Sequence, residues 1–247
     1  MISFGVDIGG SGIKGAPVDL STGELTSGRH RVATPKPATP DAAIDAVRMV
    51  VDHHGWDRPL GVTVPGVVIG GVVLTAANID SAWIGLDAKS LMTDRLELPV
   101  TVLNDADAAG IAEVRFGDHD ASHGVVLLLT FGTGIGSALI NNGVLVPNTE
   151  FGHLEFKGGM AEEYAAGRLV KRDNMEIGWW AERVNHFLQH MDLILSPRIV
   201  IVGGGVSKRF EEFRDQLNTR AIVVPARLRN NAGIVGAAMA AATEELT

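Results

Sequence analysis

The chain has 247 residues, 46% hydrophobic and 20% charged, with 29 acidic against 21 basic side chains and a formal charge of −8. That length suits one large domain or two small ones with ample core, and the acidity argues against a nucleic-acid surface, which needs a basic stripe. Zero cysteines exclude a disulfide scaffold and every thiolate metal site. No apolar run approaches the roughly eighteen residues of a membrane span. The opening "MISFGVDIGG" lacks the charged-then-apolar pattern of a leader, so a cytoplasmic protein is expected.

In chain order, an apolar strand to Ile8, the turn "GGSG" and "IKGAPVDL" read as a hairpin, and "STG" leads into a third strand near residues 24–33. "TPKPATP" is a rigid connection into "DAAIDAVRMVVDHHG", a helix with Asp41 near its start and Ile44, Val47 and Val51 at core spacing. "LGVTVPG" is a buried strand ending in a proline–glycine turn, whereas residues 72–98 give no clear pattern. "PVTVLND" (99–105) is a strand, and "ADAAGIAEVRFG" a helix stopped by Gly117. "HGVVLLLTFGTGIGSALINNGVLV" reads as strand, glycine turn, strand, Asn-Gly turn and strand. Residues 161–195 have helical spacing that buries Trp180, Val184, Phe187 and Met191. "PRIVIVGGG" is a buried strand with a glycine turn, and "NNAGIVGAAMAAATEEL" a closing helix.

One stretch echoes another. "DIGGSGIKGA" and "TFGTGIGSAL" both end a strand, turn through glycines and resume as a strand, and aligning Asp7 with Thr130 superposes Gly9 on Gly132. They are either two ordinary hairpins or one duplicated unit whose turns face a shared ligand. Glycine-rich turns after buried strands expose consecutive amides that suit phosphate oxygens. Three occur: Gly9, Gly10, Ser11 and Gly12; Thr130, Gly132, Thr133 and Gly134; and Gly203, Gly204 and Gly205. None is a Walker loop or a dinucleotide fingerprint. Asp7, just before the first turn, suits Mg²⁺ held through water, or else caps the turn. Lys14 either offsets phosphate charge or is a solvated strand residue.

"DIGGSGIKG", "VPG", "LNDADAAG", "TFGTGIGSALI", "EFGH" and "VGGGVS" follow the order and rough spacing of the ROK family (repressor, open reading frame, kinase), which this chain resembles over nearly its whole length. Within it, "TPKPATP", "HLEFKGG", "GGGVSK" and "LRNNAGIVGAA" are most similar to the members that phosphorylate glucose from inorganic polyphosphate and sometimes ATP. The resemblance implies an α/β protein of two actin-like lobes (ribonuclease H-like, hexokinase–Hsp70–actin superfamily) built on a duplicated hairpin core. The lobes would comprise residues 1–105 with a returning helix at 230–247, and residues 106–229. Sugar would sit in the cleft and the donor across the glycine turns.

From the residues alone, Asn104 or Asp105 would cap the following helix. The resemblance implies that Asp105 is the catalytic base at the sugar 6-hydroxyl and that Asn104 binds the sugar. It gives sugar contacts also to Asn78, Glu150 and His153, close backbone approach to Gly66, and a third acidic contact to Glu162, with Glu163 the neighbouring register. Many relatives follow "E-x-G-H" with a cysteine-rich zinc loop. "LEFKGGM" replaces it here without a thiolate, so no zinc is expected, and Glu155 is expected to face solvent or a neighbouring strand. The resemblance further implies Mg²⁺, glucose and, in one relative, mannose as acceptors, polyphosphate and ATP as donors, a homodimer, and neither nucleic-acid nor membrane partners. An ATP-only hexokinase and a sugar-responsive regulator are the rival readings, although such regulators carry a helix-turn-helix ahead of the first kinase strand. Lys14, Lys208, Arg209, Arg227 and Arg229 are candidate cations for a polyphosphate track.

Overall fold

The computed structural model describes residues 1–117 and 120–244. In chain order the elements are β1 (Ile2–Gly9), β2 (Gly12–Asp19), β3 (Glu24–Leu25), β4 (His30–Val32), α1 (Pro40–His53), β5 (Leu60–Val64), β6 (Val68–Ile69), β7 (Val72–Val73), α2 (Ala88–Leu96), β8 (Val100–Asn104) and α3 (Asp105–Phe116). There follow β9 (Val125–Phe131), β10 (Ile135–Asn141), β11 (Val144–Val146), β12 (Glu155–Phe156), β13 (Gly159–Met160), α4 (Ala161–Ala165), α5 (Arg168–Arg172), α6 (Ile177–Leu195), β14 (Ile199–Gly203), β15 (Ile222–Pro225) and α7 (Ala232–Glu244). Residues 245–247 of the expected closing helix lie outside the described residues. Among the described residues no helix is long and apolar enough to cross a membrane.

The chain divides into two compact units, Met1–Ala112 with Asn231–Thr247, and Glu113–Asn230. The division therefore falls inside α3 rather than at its start, where the sequence reading put it. In the first unit the sheet runs β3-β2-β1-β5-β8, with β4 also on β2. The β1–β2 pair is an antiparallel hairpin, and β1, β5 and β8 are parallel. β5 is buried at every position, as a parallel strand covered on both faces must be. The helix α1 starts where Thr39 accepts a hydrogen bond from the Ala42 amide and Pro40 stands in its first turn. Its Ile44, Val47, Val50 and Val51 enter the core with Phe4, Val6 and Trp83.

On this sheet α7 packs backbone against backbone. A Cβ on Gly5 would stand 1.9 Å from the Ile234 carbonyl oxygen, one on Gly61 1.9 Å from that of Ala237, and one on Gly236 1.9 Å from that of Ala108. Those three glycines set how closely the alanine-rich helix lies on β1, β5 and α3.

The second unit repeats the pattern, with sheet order β11-β10-β9-β14-β15. β9 and β10 form the hairpin, and β9, β14 and β15 are parallel. The hairpins differ in their turns, since Gly9 pairs with Gly12 in the first whereas Phe131 pairs with Ile135 in the second. The expected Asn-Gly turn joins β10 to β11, with φ of 51° at Asn142 and 78° at Gly143. Residues 161–195 form three helices rather than one run, and α6 buries Trp180, Val184, Phe187 and Met191 as its spacing predicts. The unreadable stretch 72–98 holds β7, a short 3-10 turn at Ser81–Trp83 and α2, which buries only Ala88, Met92 and Leu96.

Candidate active site

Ligands of parallel α/β sheets gather at the carboxyl ends of the strands, and there each unit collects its predicted residues. In the first unit, Asp7 near the end of β1 pairs with Thr63 on β5, whose hydroxyl donates to Oδ1 at 2.9 Å. The Lys14 ammonium lies 3.0 Å from Oδ2. An ionised carboxylate has about four lone-pair sites, so Asp7 retains capacity toward a hydrated cation. Among the described residues no group of three or more His, Cys, Asp or Glu side chains is arranged to hold a metal ion. A cation here would rest on one carboxylate and the donor's phosphates, a common arrangement for Mg²⁺.

Asn104 ends β8 and is 5% exposed. Its Oδ1 accepts from the amides of Ala106 at 2.8 Å and Asp107 at 2.9 Å, while Nδ2 donates to the Gly66 carbonyl at 3.0 Å. Asn104 therefore caps α3 and ties the strand end to the Pro65–Gly66 turn. Asp105 opens α3, partly exposed, with Oδ1 accepting from the Ala106 amide at 2.9 Å. Gly66 has an internal reason to be glycine, because a Cβ would stand 2.0 Å from the Thr75 carbonyl oxygen. The Ala77 amide donates to the Pro65 carbonyl at 2.9 Å, which brings the 75–78 segment to the same edge. Exposed Asn78 takes a left-handed φ of 63°, with its Cβ 3.3 Å from where a Cβ on Gly10 would stand.

In the second unit the acidic residues gather around the start of β10. A Cβ on Gly152 would lie 2.1 Å from the Ile135 carbonyl oxygen, so the 3-10 turn Phe151–His153 packs there only with glycine. Ser137 anchors the approach, donating to the Thr149 carbonyl at 2.6 Å and accepting from the Phe151 amide at 3.0 Å. His153 Nδ1 lies 3.6 Å from Glu150 Oε2. Burial pushes the Glu150 carboxyl above the usual carboxylate range, with the Glu162 charge adding to the shift and His153 opposing it. Glu162 Oε2 accepts from the Ile135 amide at 3.2 Å. Glu163 instead accepts from the Met160 amide at 3.1 Å, capping α4. Only the first of the two glutamates thus shares the field of Glu150. Glu155 is exposed on β12.

Of the glycines in the three turns only Gly204 has a left-handed φ, at 81°. A Cβ there would also lie 2.4 Å from the Phe131 carbonyl oxygen. Gly132 and Gly205 have neither a left-handed φ nor any atom within 4 Å of where a Cβ would stand. They belong to the loops leaving β9 and β14, which are parallel neighbours with Gly203 opposite Thr130.

Two arginines were not singled out from the sequence. Arg31 donates to the Ser11 carbonyl in the first turn at 2.5 Å. Arg168 donates to the Thr133 carbonyl in the second, and its guanidinium lies 4.0 Å from Glu162. Each hairpin turn is thus pinned by a guanidinium from its own unit, across 20 and 35 residues of chain respectively. No local pattern signals such contacts.

Two α/β units with one strand order, each opening in a hairpin and carrying polar groups at the carboxyl ends of its parallel strands, define the actin-like ATPase fold. The chain belongs to the ROK family, whose model matches residues 3–166. It is 51% identical over 242 residues to the polyphosphate glucokinase of Mycobacterium tuberculosis, covering 98% of this chain and 91% of that protein. Among solved structures, the inorganic polyphosphate/ATP-glucomannokinase of Arthrobacter sp. strain KM matches with a TM-score of 0.94 and 46% identity, covering 98% of this chain and 99% of the other. A ROK family glucokinase from Streptomyces griseus, in complex with glucose and AMPPNP, matches at 0.84 and 28% identity, with 98% and 100% covered.

Proposed function

We propose that this chain transfers a phosphoryl group from inorganic polyphosphate to the 6-hydroxyl of glucose. The observation that carries the reading is the 51% identity to a polyphosphate glucokinase over 98% of the chain. Asp105 takes the hydroxyl proton as the sugar oxygen attacks the terminal phosphorus. The bond from that phosphorus to the bridging oxygen breaks, leaving glucose 6-phosphate and a chain one unit shorter. Asn78, Asn104, Glu150, His153 and Glu162 hold the sugar hydroxyls, and the Gly66 turn, tied to Asn104, gives the sugar a close backbone approach. A site built of charged acceptors rejects analogues that leave them unpaired.

The donor lies along Gly9, Gly10, Ser11, Gly12 and Lys14 of the first unit, and Thr130, Gly132, Thr133, Gly134 and Gly203, Gly204 and Gly205 of the second. The open space at Gly132 and Gly205 supports this, since the fold itself makes no demand for glycine there. Mg²⁺ held by Asp7 through water would offset the charge of the donor phosphates. ATP as a second donor and mannose as a second acceptor follow the named abilities of the Arthrobacter protein. A cytoplasmic homodimer is the working state.

The test supplies purified protein with glucose, Mg²⁺ and polyphosphate free of nucleotide, with Asp105→Asn run in parallel. Glucose 6-phosphate should form, and the variant should bind glucose normally while kcat falls about 10²- to 10⁴-fold. Turnover with ATP alone would replace the donor assignment with an ATP-dependent glucokinase. Near-normal turnover by the variant would remove Asp105 as the base.

A further inference from the structure

The second unit holds a cavity of about 410 Å³ lined by Ser207, Lys208, Phe210, Glu211, the Val224–Ala226 strand end, Arg227 and Arg229. We infer that this cavity binds phosphates of the polyphosphate chain distal to the reacting one, as a chain-length subsite. The inference rests on the polyphosphate reading above and deepens it.

Two segments bring the cations together. Lys208 stands in the 3-10 helix Gly205–Glu212, which continues the glycine turn after β14. Ser207 ties that helix to the turn, its hydroxyl donating to the Gly204 carbonyl at 2.8 Å. Arg227 and Arg229 follow β15, which is parallel to β14, and the Ala226 amide donates to the Val202 carbonyl at 2.8 Å. The cavity is therefore next to the Gly203–Gly205 turn, at the same strand ends.

The second segment is held from beneath. Glu113, with no exposed surface, accepts from the amides of Arg227 at 2.9 Å and Leu228 at 2.7 Å. Arg229 completes this bend with a left-handed φ of 52°. The two guanidinium groups thus hang on a backbone fixed by a buried carboxylate.

Charge selects the ligand class. Lys208 and Arg229 make no ion pair among the described residues, and Glu211, the one acidic lining group, is paired with Arg214 at 3.1 Å. The cavity is therefore a cationic site in a chain of net charge −8, suited to a compact polyanion. Of the other two cations expected in a track, Arg209 pairs with Glu212 at 2.6 Å, and Lys14, paired with Asp7 at 3.0 Å, belongs to the donor turn of the first unit. Phe210 is the only aromatic lining group and is 5% exposed, so no aromatic face stands open beside the cations, and the apolar part of the wall is the Val224–Ala226 strand end.

The decisive variant is the double Lys208→Gln, Arg229→Gln. Both side chains are exposed, so the fold should persist. Initial rates are measured with long-chain polyphosphate, tripolyphosphate and ATP, alongside equilibrium binding of long-chain polyphosphate. For the double variant, KM and Kd for the long chain should rise about 10- to 100-fold, as expected for lost charge-assisted contacts. KM for tripolyphosphate and ATP should move less than about twofold, because the inference assigns the cavity only to phosphates farther along the chain than those donors extend. Unchanged long-chain kinetics would overturn the proposal. So would an equal rise for ATP, which would make the cavity part of the site for every donor. Were the unmodified protein inactive with polyphosphate of every length, the functional reading would fail, and the binding arm would still decide the cavity. Long-chain affinity lost in the double variant would uphold it, and affinity absent or unchanged would sink it.

Discussion

At Glu150 the proposed sugar contact sets binding against stability. Its carboxyl is pushed up by burial and by the nearby Glu162, so the folded protein holds this proton more tightly than the unfolded chain does. A raised folded pKa contributes stability that is fully present below the unfolded value and is lost as pH rises through the folded one. Wherever the pH lies above that folded value, Glu150 is ionised against the preference of its surroundings, and that is the form the proposed contact to sugar hydroxyls uses. Glu150→Gln should raise Tm at neutral pH while raising KM for glucose, a stability–function exchange. The pH profile separates this from a general loss of fit. In the unmodified protein, KM for glucose should climb on acidification at a pH above the usual carboxylate range. The variant should be flat there at a uniformly higher KM, and an identical acid limb in both would exclude Glu150 as its source.

At the scale of elements, α7 shows how glycines unrelated to any turn decide packing. A Cβ on Gly61 would meet the Ala237 carbonyl at 1.9 Å, backbone against backbone, so relief requires the helix to lift from β5. Overpacking of this kind costs about 3 kcal/mol, and Gly61→Ala should lower Tm by roughly 6–12 °C in a chain of this size. Gly28→Ala is the matched control, since nothing lies within 4 Å of its would-be Cβ. Equal melting of the two variants would refute the close-packing account. The sequence shows Gly61 as one residue of an apolar run and is silent on what lies over it. The hairpins were legible because each element there announces itself: apolar strand, glycine punctuation, apolar strand. α2 was not, because only Ala88, Met92 and Leu96 reach the core and that single stripe is too narrow to read as a face. The candidate site divides likewise. Asp7, Asn104, Asp105 and Glu150 stand in recognisable strings, whereas Arg31, Arg168 and Glu113 act on backbone 20, 35 and 114 residues away.

For the whole molecule, the repeated strand order explains why both halves carry a hairpin, whereas the pinning arginines come from unlike elements, Arg31 from β4 and Arg168 from α5. Nor is the repeat two sequential pieces of chain. The first unit is closed by residues from the far terminus, because α7 covers β1, β5 and β8 while the second unit intervenes in the sequence. Ala232, Ile234, Val235, Ala237, Ala238, Ala241 and Ala242 of α7 are all buried. Burying one Val or Ile side chain is worth about 1.5–3 kcal/mol, and the five alanines add smaller increments. Their sum is comparable to the roughly 5–15 kcal/mol by which a domain is stable at all. A chain ending at Asn230 should therefore lose the first unit and keep the second. Hydrogen exchange on that truncated chain should find peptides of β1, β5 and β8 unprotected and those of β9, β10 and β14 protected. Native-like protection in the first set would mean that its sheet stands without α7. Loss of both sets would mean that the second unit depends on the first for its folding.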